Sequence, residues 1–147
     1  MKIEKNKNLK QDKKAKCLSY NVKELPFLLK QEDYKNMMKL SNKNNKCNVR
    51  ICFHKNKNSL HHDMIILERN KNVYPPHKHF NKGECFHVIK GKLKVLIFNN
   101  IGKIKKNIIL TNGDVFRIKE NLTLYLSNSN PLKSNKELNF NLFEDIK

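Results

Sequence analysis

The chain has no tryptophan, and only four glycines and four prolines among its 147 residues. Collagen-like and Pro/Gly-rich low-complexity architectures are thereby excluded, and each Gly or Pro becomes an informative punctuation mark. Cys17, Cys47, Cys52 and Cys85 form no Cys-x-x-Cys pair, which leaves no zinc ribbon and no thioredoxin-type redox motif. Free, half-buried thiols in a cytoplasmic protein are expected instead. No apolar run is long enough to cross a bilayer, and the N-terminus lacks the apolar core of a signal peptide, so no membrane insertion is expected. Acidic residues are scarce: 13 Asp and Glu stand against 31 Lys and Arg, for a net charge of +18. The lysines are scattered among asparagines along the whole chain. No basic helical stripe and no aromatic-plus-basic RNA-binding motif accompanies them, so no specific nucleic-acid partner is expected. Charge alone predicts non-specific polyanion binding at low salt, and a polyanion-binding module is kept as a second alternative function.

The length suits one domain. Residues 1–16 are Lys/Asn-rich with little that is apolar, and read as a disordered basic arm. Residues 17–46 read as an N-terminal helical segment and linker. Tyr34, Met37, Met38 and Leu40 recur at helical spacing, Glu32 and Asp33 suit the positive end of a helix dipole, and 41–46 is a polar linker. From residue 47 onward the pattern changes to short alternating runs separated by turn signals: 48–54, 63–68, 84–90, 93–98, 105–110, 115–118, 123–127 and 138–143. Such runs at near-regular spacing predict a mainly β sandwich or barrel spanning 47–147.

The chemistry concentrates between Pro75 and Gly91. His77 and His79 are two apart, which puts both on one face of an extended strand. Asn81-Lys82-Gly83 is a turn signal, and Glu84 opens the next run. Two imidazoles and a carboxylate brought together by a tight turn suit a divalent first-row metal with open positions. Alternation from Glu84 carries Phe86 and Val88 to the same side and turns Cys85 and His87 away. In 48–54, Val49, Ile51 and Phe53 oppose Arg50, Cys52 and His54. That polar set either reaches a ligand, with Arg50 pairing a carboxylate or phosphate, or forms a solvated outer face. His61 and His62 fall in the loop before 63–68.

His77-x-His79, four residues, Glu84, six residues, Gly91 resembles the first cupin motif, with Lys71 in place of its leading Gly. A second motif counted from Gly113 reaches Asn128 but puts Lys119, Asn121 and Leu124 where Pro, Gly and a third metal-binding His are usual. Matches at 48–54, 63–67, 76–91 and 96–104 resemble the WbuC-type cupins, over roughly Leu28 to Glu144. The resemblance implies a double-stranded β-helix, or jelly-roll, sandwich with a short N-terminal helical segment. It implies a metal held by His77, His79 and Glu84 (iron, manganese, nickel or zinc), with Leu124 at a lost ligand position. Arg50, His54 and Phe86 are the expected substrate pocket, and the expected ligand is a sugar or nucleotide-sugar of surface-polysaccharide synthesis. An enzyme of this kind would be isomerase- or epimerase-like; the alternative is a non-catalytic or metal-free ligand-binding cupin. Homodimerisation through sheet edges is the expectation by analogy.

Overall fold

In the computed structural model the described residues are 3–56, 59, 62–69, 76–78, 80, 83–128 and 141–146, with backbone alone at 125, 127, 128 and 141–146. A 3₁₀ turn (Ile3–Lys5) precedes β1 (Leu9–Asp12) and β2 (Leu18–Val22). Helix α1 (Gln31–Lys43) leads to β3 (Val49–Cys52), β4 (Met64–Glu68), β5 (Glu84–Lys90), β6 (Leu93–Phe98), β7 (Ile104–Leu110), β8 (Val115–Ile118), β9 (Thr123–Asn128) and β10 (Asn141–Ile146). The strands form a seven-stranded sheet in the order β1-β2-β3-β4-β10-β5-β8 and a three-stranded sheet in the order β7-β6-β9. Neighbours are antiparallel except β2 and β3. Parallel neighbours need a long crossover, and α1 lies in it.

Strand alternation assigns each face of the larger sheet its own cover. On one face Tyr20, Val22, Val49, Ile51, Ile65 and Leu67 pack with Met37, Met38 and Leu40 of α1. On the other, Phe86, Val88 and Ile118 meet Leu93, Val95, Ile97, Leu110 and Leu124 from the smaller sheet and its approach. Burial alternates residue by residue along β5 and β6, as a strand packed on one side requires.

Three expectations are corrected. The basic arm is not disordered: it contributes a 3₁₀ turn and β1, because Ile3 and Leu9 are buried in the helix-side cluster. Burying one such side chain stabilises by about 1.5–3 kcal/mol, which composition averaged over a lysine-rich stretch conceals. The helical segment also includes a strand, β2, and α1 runs past the expected linker boundary to Lys43. Ser41 is fully buried there and its Oγ donates to the Cys47 carbonyl at 2.6 Å. Finally, the strands form two sheets and no closed barrel among the described residues; β1 and β8 are edges of the larger sheet. Of the expected run 138–143, residues 138–140 lie outside the described set.

A polar tie fastens the helix to the sheet. Asn48 Nδ2 donates to Glu68 Oε2 at 2.6 Å, and Asn48 Oδ1 accepts from the Arg69 backbone N–H at 2.8 Å. The buried Arg69 guanidinium reaches Asn42 Oδ1 on α1 at 3.1 Å. Removing a buried partner strands the groups that remain, so Asn48→Ala is expected to cost about 1–3 kcal/mol in denaturant unfolding. An unchanged unfolding midpoint would mean that the tie contributes nothing.

Candidate metal and ligand site

His77 is tied to β9 through its backbone. Its N–H donates to the Leu124 carbonyl at 3.0 Å, and the Leu124 N–H donates to the His77 carbonyl at 2.8 Å. Two residues that exchange both bonds are directly opposed, and directly opposed residues share a face. Leu124 is 2 % exposed within the apolar cluster that also holds Phe86 and Ile118. His77, half-buried, is thus set beside the layer between the sheets.

Glu84 reaches the same layer from the start of β5. It is 5 % exposed, lies opposite Ile118 of β8, and shares its face with Phe86 and Val88. The preceding residue has to be glycine for a steric reason: a Cβ on Gly83 would stand 2.7 Å from the Ile118 carbonyl oxygen. At the far end of β5, Gly91 turns with φ of 105°, a conformation other residues rarely adopt. Cys85 and His87 face the other way, towards the helix side, where Ile89 packs on that cluster.

His79 lies outside the described residues, as do Asn81 and Lys82. Among the described residues no three His, Cys, Asp or Glu side chains converge on a point. The described pair, one imidazole and one buried carboxylate, suits a divalent cation in donor type. Leu124, opposite His77, offers no donor atom.

Arg50 and His54 occupy a different region of the molecule. In β3, Val49 and Ile51 turn to α1, while Arg50 and Cys52 turn away. Phe53 also packs on the helix side, edge-on to Phe27 at 6.2 Å. Arg50 Nε donates to Ser19 Oγ at 3.3 Å, and Ser19 Oγ is 3.9 Å from Cys52 Sγ. The His54 and His62 rings stack at 4.5 Å, with His54 Nδ1 3.2 Å from the Asp63 carbonyl. All five side chains line a groove of about 890 Å³, rimmed by Lys10 of β1 and by Lys13, Lys14, Lys23 and Lys55. Phe86 does not line it; it packs in the apolar layer behind Glu84. His61 lies outside the described residues. Sequence reasoning passed over Ser19, although Leu18-Ser19-Tyr20-Asn21-Val22 alternates as cleanly as any strand in the chain.

The two regions nevertheless share one sheet face. Arg50 is opposite Ser19 and Ile66, and Cys52 is opposite Met64. Position 145 of β10 is opposite both Met64 and Phe86. The face carrying Glu84 and Phe86 on β5 therefore continues across β4 to Arg50 and Cys52 on β3.

Comparison with known proteins agrees with this architecture. The family described as a domain of unknown function, DUF6016, matches residues 29–110. The chain belongs to the DUF6016 family. No curated protein matches the DUF6016 chain in sequence. Solved structures with a similar fold include the Cnp3 cupin domain of Schizosaccharomyces pombe, with a TM-score of 0.52, 10% identity, and coverage of 67% of this chain and 62% of that one. KdgF from Halomonas sp. has a TM-score of 0.50 at 15% identity, covering 67% and 76% of the two chains. A cupin superfamily protein from Desulfitobacterium hafniense has a TM-score of 0.50 at 7% identity, covering 67% and 74%. At such identities the likeness is one of fold, and the fold of this DUF6016 protein is that of the cupin superfamily. Among the described residues no helix is long and apolar enough to cross a membrane, and the four cysteines are free thiols.

Titration of the groove follows from burial. The His54 imidazole is held below its ordinary range, first by burial and then by its neighbours His62 and Arg50, against the opposing Asp63 carbonyl bond and carboxylate. A base whose pKa is lowered on folding takes up its proton more readily in the unfolded chain. Stability is therefore full above the ordinary histidine pKa of about 6.5 and falls as pH drops through and below it. The DUF6016 protein should lose thermal stability between pH 7.5 and 5, and His54→Gln should flatten that slope. An identical slope in the variant would show that His54 is not the group responsible.

Proposed function

We propose that this protein is a metal-binding cupin whose ligands are His77, His79 and Glu84, and that it binds or acts on a carbohydrate-type molecule. One observation carries the reading. The backbone pairing of His77 with Leu124 brings together the first histidine of one cupin motif and the histidine position of the other, beside the layer that receives the buried Glu84 carboxylate. The sequence spacing supplies His79 as the remaining donor. Two imidazoles and one carboxylate suit iron, manganese, nickel or zinc. A metal bound there would supply Lewis acidity towards a sugar hydroxyl or carbonyl. Glu84 contributes the negative charge, and burial in a largely apolar layer strengthens its attraction for a cation. The apolar neighbours Phe86, Ile118 and Leu124 limit water on that side. The nucleotide-sugar and surface-polysaccharide setting, with an isomerase- or epimerase-like reaction, follows the resemblance to WbuC-type cupins.

Leu124 favours a second reading. It is packed in apolar surroundings where a fourth ligand would otherwise stand, so a metal-free cupin that binds the same class of ligand is the alternative. Elemental analysis of untagged protein separates the two. The metal-binding reading predicts stoichiometric metal in wild type, and loss of at least about tenfold in affinity, 1.4 kcal/mol, in His77→Ala and Glu84→Ala. Leu124→His is expected to tighten binding by adding a donor opposite His77. Metal-free wild type that titrates no divalent ion would rule out the metal and leave the ligand-binding reading.

A further inference from the structure

We propose that the groove over β1 to β4 binds a small molecule carrying a phosphate or diphosphate group. The groove exists because the two sheets differ in width. The apolar cluster of the three-stranded sheet covers the inner face of the larger sheet at β5 and β8. Towards β3 and β2 the same face turns polar, with Ser19, Asn21 and Arg50 on it. Among the described residues this part of the face is lined by polar side chains and no apolar layer covers it, which suits a ligand, and about 890 Å³ lies within the usual range for small-molecule sites.

Charge selects the ligand class. Lys10, Lys13, Lys14, Lys23, Lys55 and Arg50 line the groove, against the single carboxylate of Asp12. That carboxylate is engaged in its own turn, where Oδ1 accepts the Lys14 backbone N–H at 3.0 Å. The lysines are exposed at the rim, whereas Arg50 is half-buried on the floor. Ser19 is 1 % exposed and fixes the guanidinium through Nε. Among the described residues no hydrogen bond engages the two Nη atoms. An oriented guanidinium with its outer edge available is suited to bidentate capture of a phosphate, while lysines act as surrounding point charges. His62 adds a second polar group: its buried Nε2 has no hydrogen-bond partner among the described residues. A recessed floor of this kind fits a compact anion better than the backbone of a long polyanion, which binds along exposed stripes. His77 and Glu84 do not line the groove, so the inference does not rest on the metal reading.

The test is calorimetric titration of the full-length protein with inorganic pyrophosphate and with uridine diphosphate, before and after treatment with EDTA. Saturable binding of both, unchanged by EDTA, is expected. Arg50→Gln should weaken it at least about tenfold, and Arg50→Lys less. The rim variant Lys10→Gln/Lys14→Gln/Lys23→Gln alters exposed side chains only and should also weaken binding, which guards against a folding defect in the Arg50 variants. Binding that disappears with EDTA would place the anion on a metal and overturn the proposal. So would wild-type affinity retained in both Arg50→Gln and the rim variant, or an absence of pyrophosphate binding, with or without DNA binding of steep salt dependence.

Discussion

The insertion of β10 between β4 and β5 is the constraint on which the rest of the structure depends. Without it the described ladder breaks into two pieces, β1 to β4 and β5 with β8. With it, one register runs from Asn21 through Cys52, Met64 and position 145 to Phe86. Side chains alternate along a strand, so a slip of one residue in the pairing at β10 would turn the Arg50 set and the Glu84 set to opposite faces. β10 thus decides whether β1 to β4 and the strand carrying Glu84 present these side chains on one face. It does so by contacts distant in sequence, which are slow to form and entropically costly.

That shared face is divided by its cover. Over β5 and β8 the three-stranded sheet seals it with Val95, Ile97 and Leu124, and Glu84 is buried at the margin of this apolar layer. Over β2 and β3 the face is, among the described residues, open, polar and basic. The opposite face is closed by α1 and fastened by the Asn48, Glu68 and Arg69 contacts. A sealed region with a buried carboxylate favours a cation. An open region floored by arginine favours an anion. A molecule carrying a hydroxylated ring and a phosphate would have reason to use both.

Much of this was legible in the sequence where alternation is regular and bounded by glycine. The runs 84–90, 93–98 and 115–118 coincide with β5, β6 and β8. Counting from Gly113 brings position 124 to the histidine motif, and the backbone bridge joins His77 to Leu124. Other features were not legible, for identifiable reasons. Ile3 and Leu9 are lone anchors in a lysine-rich stretch, so averaged composition hides the 3₁₀ turn and β1. Ser41 is a polar residue buried by a backbone hydrogen bond, so polarity misplaces the end of α1. The grouping of Arg50 and His54 with Phe86 in one pocket depends on which strands lie side by side. Nothing local in β3, β4 or β5 announces that β10 enters between them, and Phe86 stands in the apolar layer apart from the groove.

The central claim is that the histidine and glutamate pole and the arginine groove are two regions of one face, with the cation at the first. Titration of isotope-labelled protein with Mn²⁺, followed by amide NMR, tests it directly. The account predicts selective paramagnetic broadening of the His77, Glu84 and Leu124 amides at substoichiometric metal, while the Ser19 and Arg50 amides stay sharp. Broadening centred on His54 and His62, or spread evenly over the chain, would contradict it.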